Sequence, residues 1–423
     1  MRSMTRIVAV LSAFSILSTS SAQAVNLDWL TQYKQPNIHY GQLALHPYYQ
    51  FTELYDNNIY LVPRDTPTRT VGGGVRGSWI TINELALEAI LPWRRLHNLA
   101  AGYDFESQIY STQPNVNDTI NQKAHLDYVY TGAYGLTFKV GDRYENTTDQ
   151  AFSELIDRNR RWTNVVYTDL DYNPENGYMA GGVDASHTAT KYVAPAIGRL
   201  LNRYEDRAGF NVGYKVQPKT KAYVSYHRSV MHYTVHRELP DQDKNSKSHD
   251  FGAGVSGVLA PKVTGQVEGG MTYREYDEAP IGGATRVTHN FTVATNVLYK
   301  PTDRTDISLA LSRKLEESIN ATSRFYISHT ATLDVKHKLP RKFSVGANAA
   351  FGLDKYPDSQ TVVGGATGNR RDDIYQAGAW VEYDIQAWLS TGLSYVFRER
   401  DSTFSGEFNY QDMQTAWNLA LKF

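Results

Sequence analysis

The chain has 423 residues, a formal net charge of −1 and no cysteine. The near-neutral charge argues against nucleic acid as a partner, because proteins that bind nucleic acid usually carry a strongly basic surface. The absence of cysteine excludes disulfide bonds and thiolate metal sites, and no motif indicates a cofactor. The mean hydropathy is negative. No run of about 20 apolar residues follows the N-terminal segment, which excludes transmembrane helices.

Residues 1–24 have the three parts of a secretory signal peptide. Arg2 and Arg6 are basic, an apolar stretch follows, and Ala22 and Ala24 place small side chains where signal peptidase reads them. We therefore expect cleavage after Ala24 and export through the inner membrane of a Gram-negative bacterium.

Two further units follow the signal peptide. Residues 25–45 precede the first strand-like sequence, and we expect them to lie in the periplasm or to fold inward as a small plug. The sequence leaves both possibilities open. Residues 46–423 are predicted to form the second unit, a β-barrel in the outer membrane.

Short segments of alternating polarity run through residues 46–423. In one of them Ile307, Leu309 and Leu311 alternate with small or polar residues. Such period-two alternation predicts strands with an apolar face toward lipid and a polar face toward a lumen. The 30 tyrosines and 7 tryptophans suit aromatic girdles at the two membrane interfaces.

The predicted fold class is therefore all-β, a transmembrane antiparallel β-barrel of about 18 strands. Residues 69–93 count as one long strand or two, so about 16 strands remains an alternative. Closure is required because each unpaired backbone group in hydrocarbon costs several kcal/mol. A barrel of about 16 to 18 strands is too wide for side chains to fill, which predicts a water-filled lumen unless a segment plugs it.

The connections between these segments alternate between short and long. The short ones often contain proline beside a charged or polar residue, at residues 173–176, 217–219, 260–262, 300–303 and 339–341. The long ones are polar, at residues 145–160, 191–204, 237–248, 276–283, 354–373 and 398–409. This alternation is typical of a barrel with short periplasmic turns and longer outer loops.

The longest predicted outer loop covers residues 354–373. Arg370, Arg371, Asp372 and Asp373 at its end carry both signs of charge. A long loop that folds into the lumen forms a constriction with such side chains, whereas a solvated surface loop is the alternative reading. Residues 145–160 contain a possible short helix and are the second candidate for an inward fold.

Two motifs are better explained by a barrel than by a binding site. Residues 72–77 match G-x-G-x-x-G, but strand-like sequence follows instead of a helix, and we interpret them as a glycine-rich strand facing the lumen. His232 and His236 would lie about 13 Å apart along one strand, too far for a single metal. We interpret them, with His227, as polar residues near the outer rim. No catalytic set stands out, so we do not expect an enzyme.

The last residues form a regular strand. Trp417, Leu419, Leu421 and Phe423 share one face, and small or polar residues occupy the other. A final strand with an aromatic residue at its very end resembles the assembly signal of bacterial outer-membrane barrels. The resemblance implies that the barrel assembly machinery reads this strand.

A wider resemblance begins at residues 46–60, HPYYQFTELYDNNIY. This sequence, and especially its residues 55–59, resembles the opening of the putative β-barrel porins of the second type. Residues 214–220, followed by residues 222–233, look like the recurring strand–turn–strand of that family. Members often accompany exopolysaccharide or capsule secretion systems. The resemblance therefore implies a conduit for polysaccharide, with outer-membrane lipid and polysaccharide export components as partners.

The leading functional hypothesis is a porin-like diffusion or export conduit. One alternative is a surface-exposed structural or adhesive barrel without transport, and a less favoured one is a hydrolase active at the barrel rim. The solute, the direction of transport and the oligomeric state are open at the level of sequence.

Overall fold

The computed structural model describes residues 38–63, 74–148, 158–234, 244–278, 286–318, 323–361 and 367–423. The predicted signal peptide with Ala22 and Ala24, residues 25–37, His236 and most of the possible helix in residues 145–160 lie outside these ranges. Within the described residues, no helix is both long enough and apolar enough to cross a membrane.

Antiparallel strands make up nearly all of the described chain. They are β1 (Ile38–Tyr40), β2 (Leu43–Asp56), β3 (Ser78–Trp93), β4 (His97–Tyr110), β5 (Thr119–Thr131), β6 (Leu136–Thr147), β7 (Arg161–Tyr172), β8 (Met179–Tyr192), β9 (Arg203–Gln217), β10 (Thr220–Tyr233), β11 (Ser246–Ala260), β12 (Val263–Tyr276), β13 (Val287–Thr302), β14 (Thr305–Glu317), β15 (Phe325–Lys338), β16 (Phe343–Thr361), β17 (Thr367–Gln386), β18 (Leu389–Ser402) and β19 (Tyr410–Lys422). Three short helices lie in the connections, α1 (Pro114–Asn117), α2 (Pro195–Leu201) and α3 (Ser405–Phe408).

The sheet closes on itself. Each strand from β2 to β19 pairs with the next along the chain, and β19 pairs with β2 from Gln414↔Asp56 to Lys422↔Tyr48. The result is a closed barrel of eighteen strands, which confirms the predicted fold class and the higher strand count. Closure pairs the backbone groups at what would otherwise be the two edges of the sheet.

The N-terminal side of the barrel differs slightly from the sequence prediction. β2 begins at Leu43, three residues before the predicted start at His46, and β1 pairs with its first residues through Ile38↔Leu45. Tyr40 in β1 is 83% exposed, and β1 pairs with β2 beyond the last β19 contact at Lys422↔Tyr48. Residues 74–93 contribute one strand, β3.

Side-chain alternation assigns the two faces. Leu309 lies opposite Leu333, and Leu333 lies opposite Ala349, so that one apolar row continues from strand to strand. Leu309 is 38% and Leu333 43% exposed in the single chain, as expected for side chains that contact lipid. The neighbouring positions, such as Ala310, form the rows that face the lumen.

Short turns and both ends of the described chain lie at one end of the barrel, which is therefore the periplasmic end. Two of these turns hold consecutive residues in the left-handed conformation, Arg94 and Arg95 with φ of 50° and 60°, and Arg341 and Lys342 with φ of 62° and 69°. Paired positive φ angles match the right-handed twist of the adjoining strands, as in two-residue hairpins. The longer connections lie at the extracellular end.

Two expectations about loops are corrected by the structure. Most of residues 354–373, expected as the longest outer loop, belongs to the paired strands β16 and β17, which extend to Thr361↔Thr367 across a bulge. These residues are therefore strand residues held by backbone pairing. Residues 362–366 lie outside the described part of the chain. Residues 74–77 of the glycine-rich motif precede β3 instead of forming a strand that faces the lumen.

Candidate functional site

The extracellular mouth is narrowed by residues 57–63, which we call the inward segment. Ile59, Tyr60 and Val62 are buried and pack against Ile80 and Tyr110. These two partners belong to the lumen-facing rows of β3 and β4. The chain that follows β2 therefore turns into the barrel and lies against its inner wall. Burial of these apolar side chains stabilises the inward position.

Hydrogen bonds hold the inward segment at both ends. The side-chain nitrogen Nδ2 of Asn58 donates to the backbone carbonyl oxygens of Val62 at 3.1 Å and Gln411 at 2.9 Å. The hydroxyl of Tyr60 donates to Gln113 Oε1 at 2.8 Å in the connection before β5. Asn58 is fully buried, so the loss of these bonds would leave backbone groups without partners.

Buried ion pairs surround the same mouth. Arg370 donates to Asp372 at 2.6 Å with side chains 1% and 0% exposed, and Arg398 donates to Asp412 at 2.6 Å with side chains 8% and 0% exposed. Arg274 pairs with Glu317 further around the wall. Because both charges of each pair are desolvated together, loss of one partner leaves an uncompensated buried charge.

Arginines of this region also lie over tyrosine rings. Arg400 lies 5.0 Å from the ring centre of Tyr410, and Arg158 lies 4.4 Å from that of Tyr110. Arg158 belongs to the connection between β6 and β7. Burial lowers the pKa of its guanidinium to about 10, against the opposing effect of the nearby carboxylates. Arg158 therefore stays charged at neutral pH.

Deeper in the lumen, the wall from β3 to β12 carries hydrogen-bonded charges. His125 lies 3.1 Å from Glu88 and 3.9 Å from Asp127, and Asp127 accepts a hydrogen bond from Tyr167. Further along the wall, Tyr223 donates to Glu268 at 2.5 Å. Opposite charges are neighbours here, so this wall presents polar groups without a strong field of one sign.

The facing wall from β13 to β18 is lined by small side chains. Its inward positions include Asn296, Ala310, Thr332 and Ala350, which follow one another by strand register, and Gly378, which lies opposite Asn348. Small side chains leave space in front of this wall. At this level the lumen is thus lined by charged side chains on one wall and by small side chains on the other.

Several lumen-facing rings lie flat on glycines of the adjacent strand. A Cβ atom added at Gly346 would collide with the ring of Trp380, and one added at Gly141 would lie 2.7 Å from the ring of Tyr167. Glycine is required at such positions because only a bare backbone admits the ring. The rings therefore cover the wall, with Lys336 over the ring of Trp380 at 5.5 Å and Arg143 over that of Tyr167 at 5.0 Å.

The predicted site residues have separate places in the structure. Arg370 and Asp372 face the lumen on β17, whereas Arg371 and Asp373 alternate to the outside, with Arg371 at 3.0 Å from Asp373. The four residues thus do not form one constriction on a loop.

The other candidates also separate by face. His227 faces the lumen, 3.2 Å from Asp184, while His232 faces outward. Trp417, Leu419 and Leu421 share the outward face of β19. Among the described residues, no group of three or more His, Asp or Glu side chains is placed to hold a metal.

Sequence reasoning missed the inward segment. Its signal is an apolar run, Ile59 to Val62, in a connection that should otherwise be solvated. The partners that hold it lie about 50 residues away at Gln113 and at the other end of the chain at Gln411. No local pattern identifies those partners.

The buried Arg398–Asp412 pair leads to a prediction on stability. Arg398→Ala is expected to lower the free energy of unfolding by roughly 3–5 kcal/mol, because Asp412 would be left buried without its ion-pair partner. Arg371→Ala is the matched control, since Arg371 is exposed to solvent and its pair with Asp373 should contribute little to stability. Urea unfolding in lipid vesicles measures both. Equal losses of stability in the two variants would show that burial does not strengthen the contribution of the Arg398–Asp412 pair.

Comparison with known proteins gives one family and several similar folds. The family described as Putative beta-barrel porin 2 matches residues 183–423, more than half of the chain. No curated protein sequence matches the chain.

Similar solved structures include the siderophore receptor PirA from Acinetobacter baumannii, with 8% identity, a TM-score of 0.42 and coverage of 90% of this chain and 80% of that chain. OccAB4 from Acinetobacter baumannii has 9% identity, a TM-score of 0.44 and coverage of 90% and 98%. A bacterial polysaccharide outer membrane secretin has 9% identity, a TM-score of 0.34 and coverage of 89% and 98%.

Proposed function

The chain belongs to the Putative beta-barrel porin 2 family, and on that premise we propose that it is a non-enzymatic, water-filled conduit for polar solutes. The observation that carries the proposal is the polar inner wall of a closed barrel of eighteen strands. A barrel of this size is too wide for its own side chains to fill. The inward segment and the Arg370–Asp372 pair narrow the path at the extracellular mouth.

A carbohydrate chain is the cargo that this lumen suits best, and polysaccharide export components at the periplasmic end are its proposed partners. The lumen-facing rings of Trp380 and Tyr167, each with a cationic side chain over it, offer aromatic and polar contacts to sugar rings. On β10 and β12, Gln266 donates to the Tyr223 hydroxyl, which donates to Glu268. Such groups can form and exchange hydrogen bonds with sugar hydroxyls. Charges that are already paired bind a neutral polymer only weakly. The cargo would therefore slide along the wall.

Planar bilayers test the conduit. Purified folded protein is expected to give stepwise conductance with weak ion selectivity, and linear oligosaccharides added on the periplasmic side should block it transiently. Trp380→Ala should shorten the blocks, whereas Trp417→Ala, which removes an outward ring that is 43% exposed, should leave them unchanged. Folded protein without conductance, even after release of the inward segment, would overturn the proposal and favour a structural or adhesive barrel.

The last strand also supports a proposed role as the signal for the barrel assembly machinery. The Phe423 amide donates to the Pro47 carbonyl at 3.1 Å, and its ring stacks on Trp388 at 5.9 Å. Deletion of Phe423 is expected to reduce the amount of folded barrel in the outer membrane, as judged by heat-modifiable mobility. Trp388→Ala removes the stacked ring but keeps the terminal residue, and it should have a small effect. Equal losses would assign Phe423 a packing role only.

A further inference from the structure

The outer face of the barrel carries a localised group of basic side chains. On five strands the outward face carries a row of apolar and aromatic residues. Toward the extracellular end, this row is followed by an Arg or a His. These residues, which we call the basic arc, are Arg228, His249, His289, Arg313 and His329. Arg228 and His289 are exposed, and the other three are half-buried.

The level of the basic arc corresponds to lipid headgroups. On β14, Arg313 follows Ile307, Leu309 and Leu311 on the outward face. On β15, His329 follows Leu333 and Ala331 in the same way. Since the apolar rows lie in the hydrocarbon, the next outward positions at the extracellular end lie at the surface of the outer leaflet.

Contacts within the arc hold its side chains together. Arg313 Nε donates to His329 Nε2 at 3.1 Å, and the Tyr226 hydroxyl lies 2.7 Å from His249 Nδ1. Glu275, the outward acidic residue of β12 between His249 and His289, lies 3.6 Å from Arg286. On the nearby strands β17 and β18, the outward positions toward the extracellular end include Asp373 and Glu399 instead. Acidic side chains therefore follow the basic arc on that side of the barrel.

A second feature of the wall coincides with this sector. The ladder between β13 and β14 ends at Val293↔Arg313, although β13 continues to pair with β12 up to Val287 and β14 with β15 up to Glu317. The Arg313 guanidinium donates to the carbonyl oxygen of Phe291 beside this break. This contact holds the Arg313 guanidinium against the outer surface of β13.

We propose that the basic arc binds the phosphorylated headgroup of an outer-leaflet glycolipid, with Arg313 at its centre. Guanidinium and imidazole groups above an apolar, aromatic surface match a lipid that carries phosphate above acyl chains. The acyl chains would lie on the rows below the arc, such as Leu309 and Phe291. This site is independent of what passes through the lumen.

Binding of defined lipids tests the site. The full-length protein in detergent micelles is titrated with bisphosphorylated lipid A, with lipid A from which the phosphates have been removed, and with inorganic phosphate. Native mass spectrometry counts the bound lipid. We expect the intact protein to retain the bisphosphorylated lipid but neither the dephosphorylated lipid nor inorganic phosphate at equal concentration. Retention of both lipids alike would show that the acyl chains alone bind, and competition by inorganic phosphate would show a simple anion site.

Variants locate the site on the arc. Arg313→Gln is expected to weaken binding roughly fivefold, the effect of one basic group near an anionic surface, and the triple variant with His289→Gln and His329→Gln more strongly. Arg313→Lys keeps the charge and should retain most of the binding. Arg371→Gln is the matched control, because it removes an outward arginine beside Asp373, and it should bind as the intact protein does. Equal weakening by Arg371→Gln and Arg313→Gln, in barrels with unchanged heat-modifiable mobility, would overturn the proposal.

Discussion

Release of the inward segment is expected to raise the single-channel conductance several-fold, the largest functional change that the structure predicts. The double variant Asn58→Ala with Val62→Ser removes the hydrogen bonds to Val62 and Gln411 and places a hydroxyl in the apolar cluster. Each buried group left without a partner costs roughly 1–3 kcal/mol, so the inward position loses most of its advantage. The mouth then opens to the width of the barrel.

Planar bilayer recordings measure this change. The control is Glu175→Gly with Asn176→Gly in the exposed periplasmic turn between β7 and β8, which should leave the conductance unchanged. The variant should also keep the stability of the barrel wall, because the strand ladders are untouched. If the double variant conducts as the unaltered protein does while remaining folded, the inward segment is not the narrowest part of the path.

Arginine substitutions at adjacent residues of β14 are expected to have opposite consequences. Leu309→Arg places a charge on the lipid face and should lower the free energy of unfolding by roughly 2–4 kcal/mol if it lies near the middle of the membrane. Ala310→Arg points the same side chain into the lumen, opposite Asn296 and Thr332. Water solvates it there, so the folding cost should be small. Its added positive charge should instead lower the conductance and favour anions.

Two measurements separate these outcomes. Urea unfolding in lipid vesicles gives the folding free energy of each variant, and reversal potentials across a salt gradient give the ion selectivity. The two positions lie at nearly the same depth on one strand, so depth does not explain a difference between them. A loss of stability in Ala310→Arg equal to that in Leu309→Arg would contradict the assignment of the two faces.

The wall of the barrel is encoded locally. Alternation in segments such as Ile307 to Leu311 predicts the strands and their faces, because successive side chains of a strand point to opposite sides. Turn residues beside Pro218 and Pro261 end those strands, and the alternation of short and long connections orients the barrel. Each of these signals spans a few residues. Local patterns therefore sufficed to predict a closed barrel of about eighteen strands, with about sixteen as the alternative that the structure excluded.

The arrangement of residues at the extracellular mouth depends on contacts between residues that are far apart in the sequence. The apolar residues from Ile59 to Val62 turn inward because Tyr110 and Tyr410, far along the chain, complete their cluster. Arg370 and Arg371 are neighbours in sequence, yet one is 1% exposed at the inner wall and the other is solvated outside. The two arginines point to opposite faces because they lie in a strand. The sequence placed them in a loop, whereas β16 and β17 continue to pair across a bulge.

The sequence by itself thus determined the strands, their two faces and the closed barrel, since these follow from the alternation of side chains and from the cost of unpaired backbone in lipid. Only the tertiary structure decided which connection narrows the lumen, which charges are buried together and where the basic arc forms on the outer face. Those features arise where strand register brings side chains from distant parts of the chain into contact, and no sequence spacing specifies that register in advance.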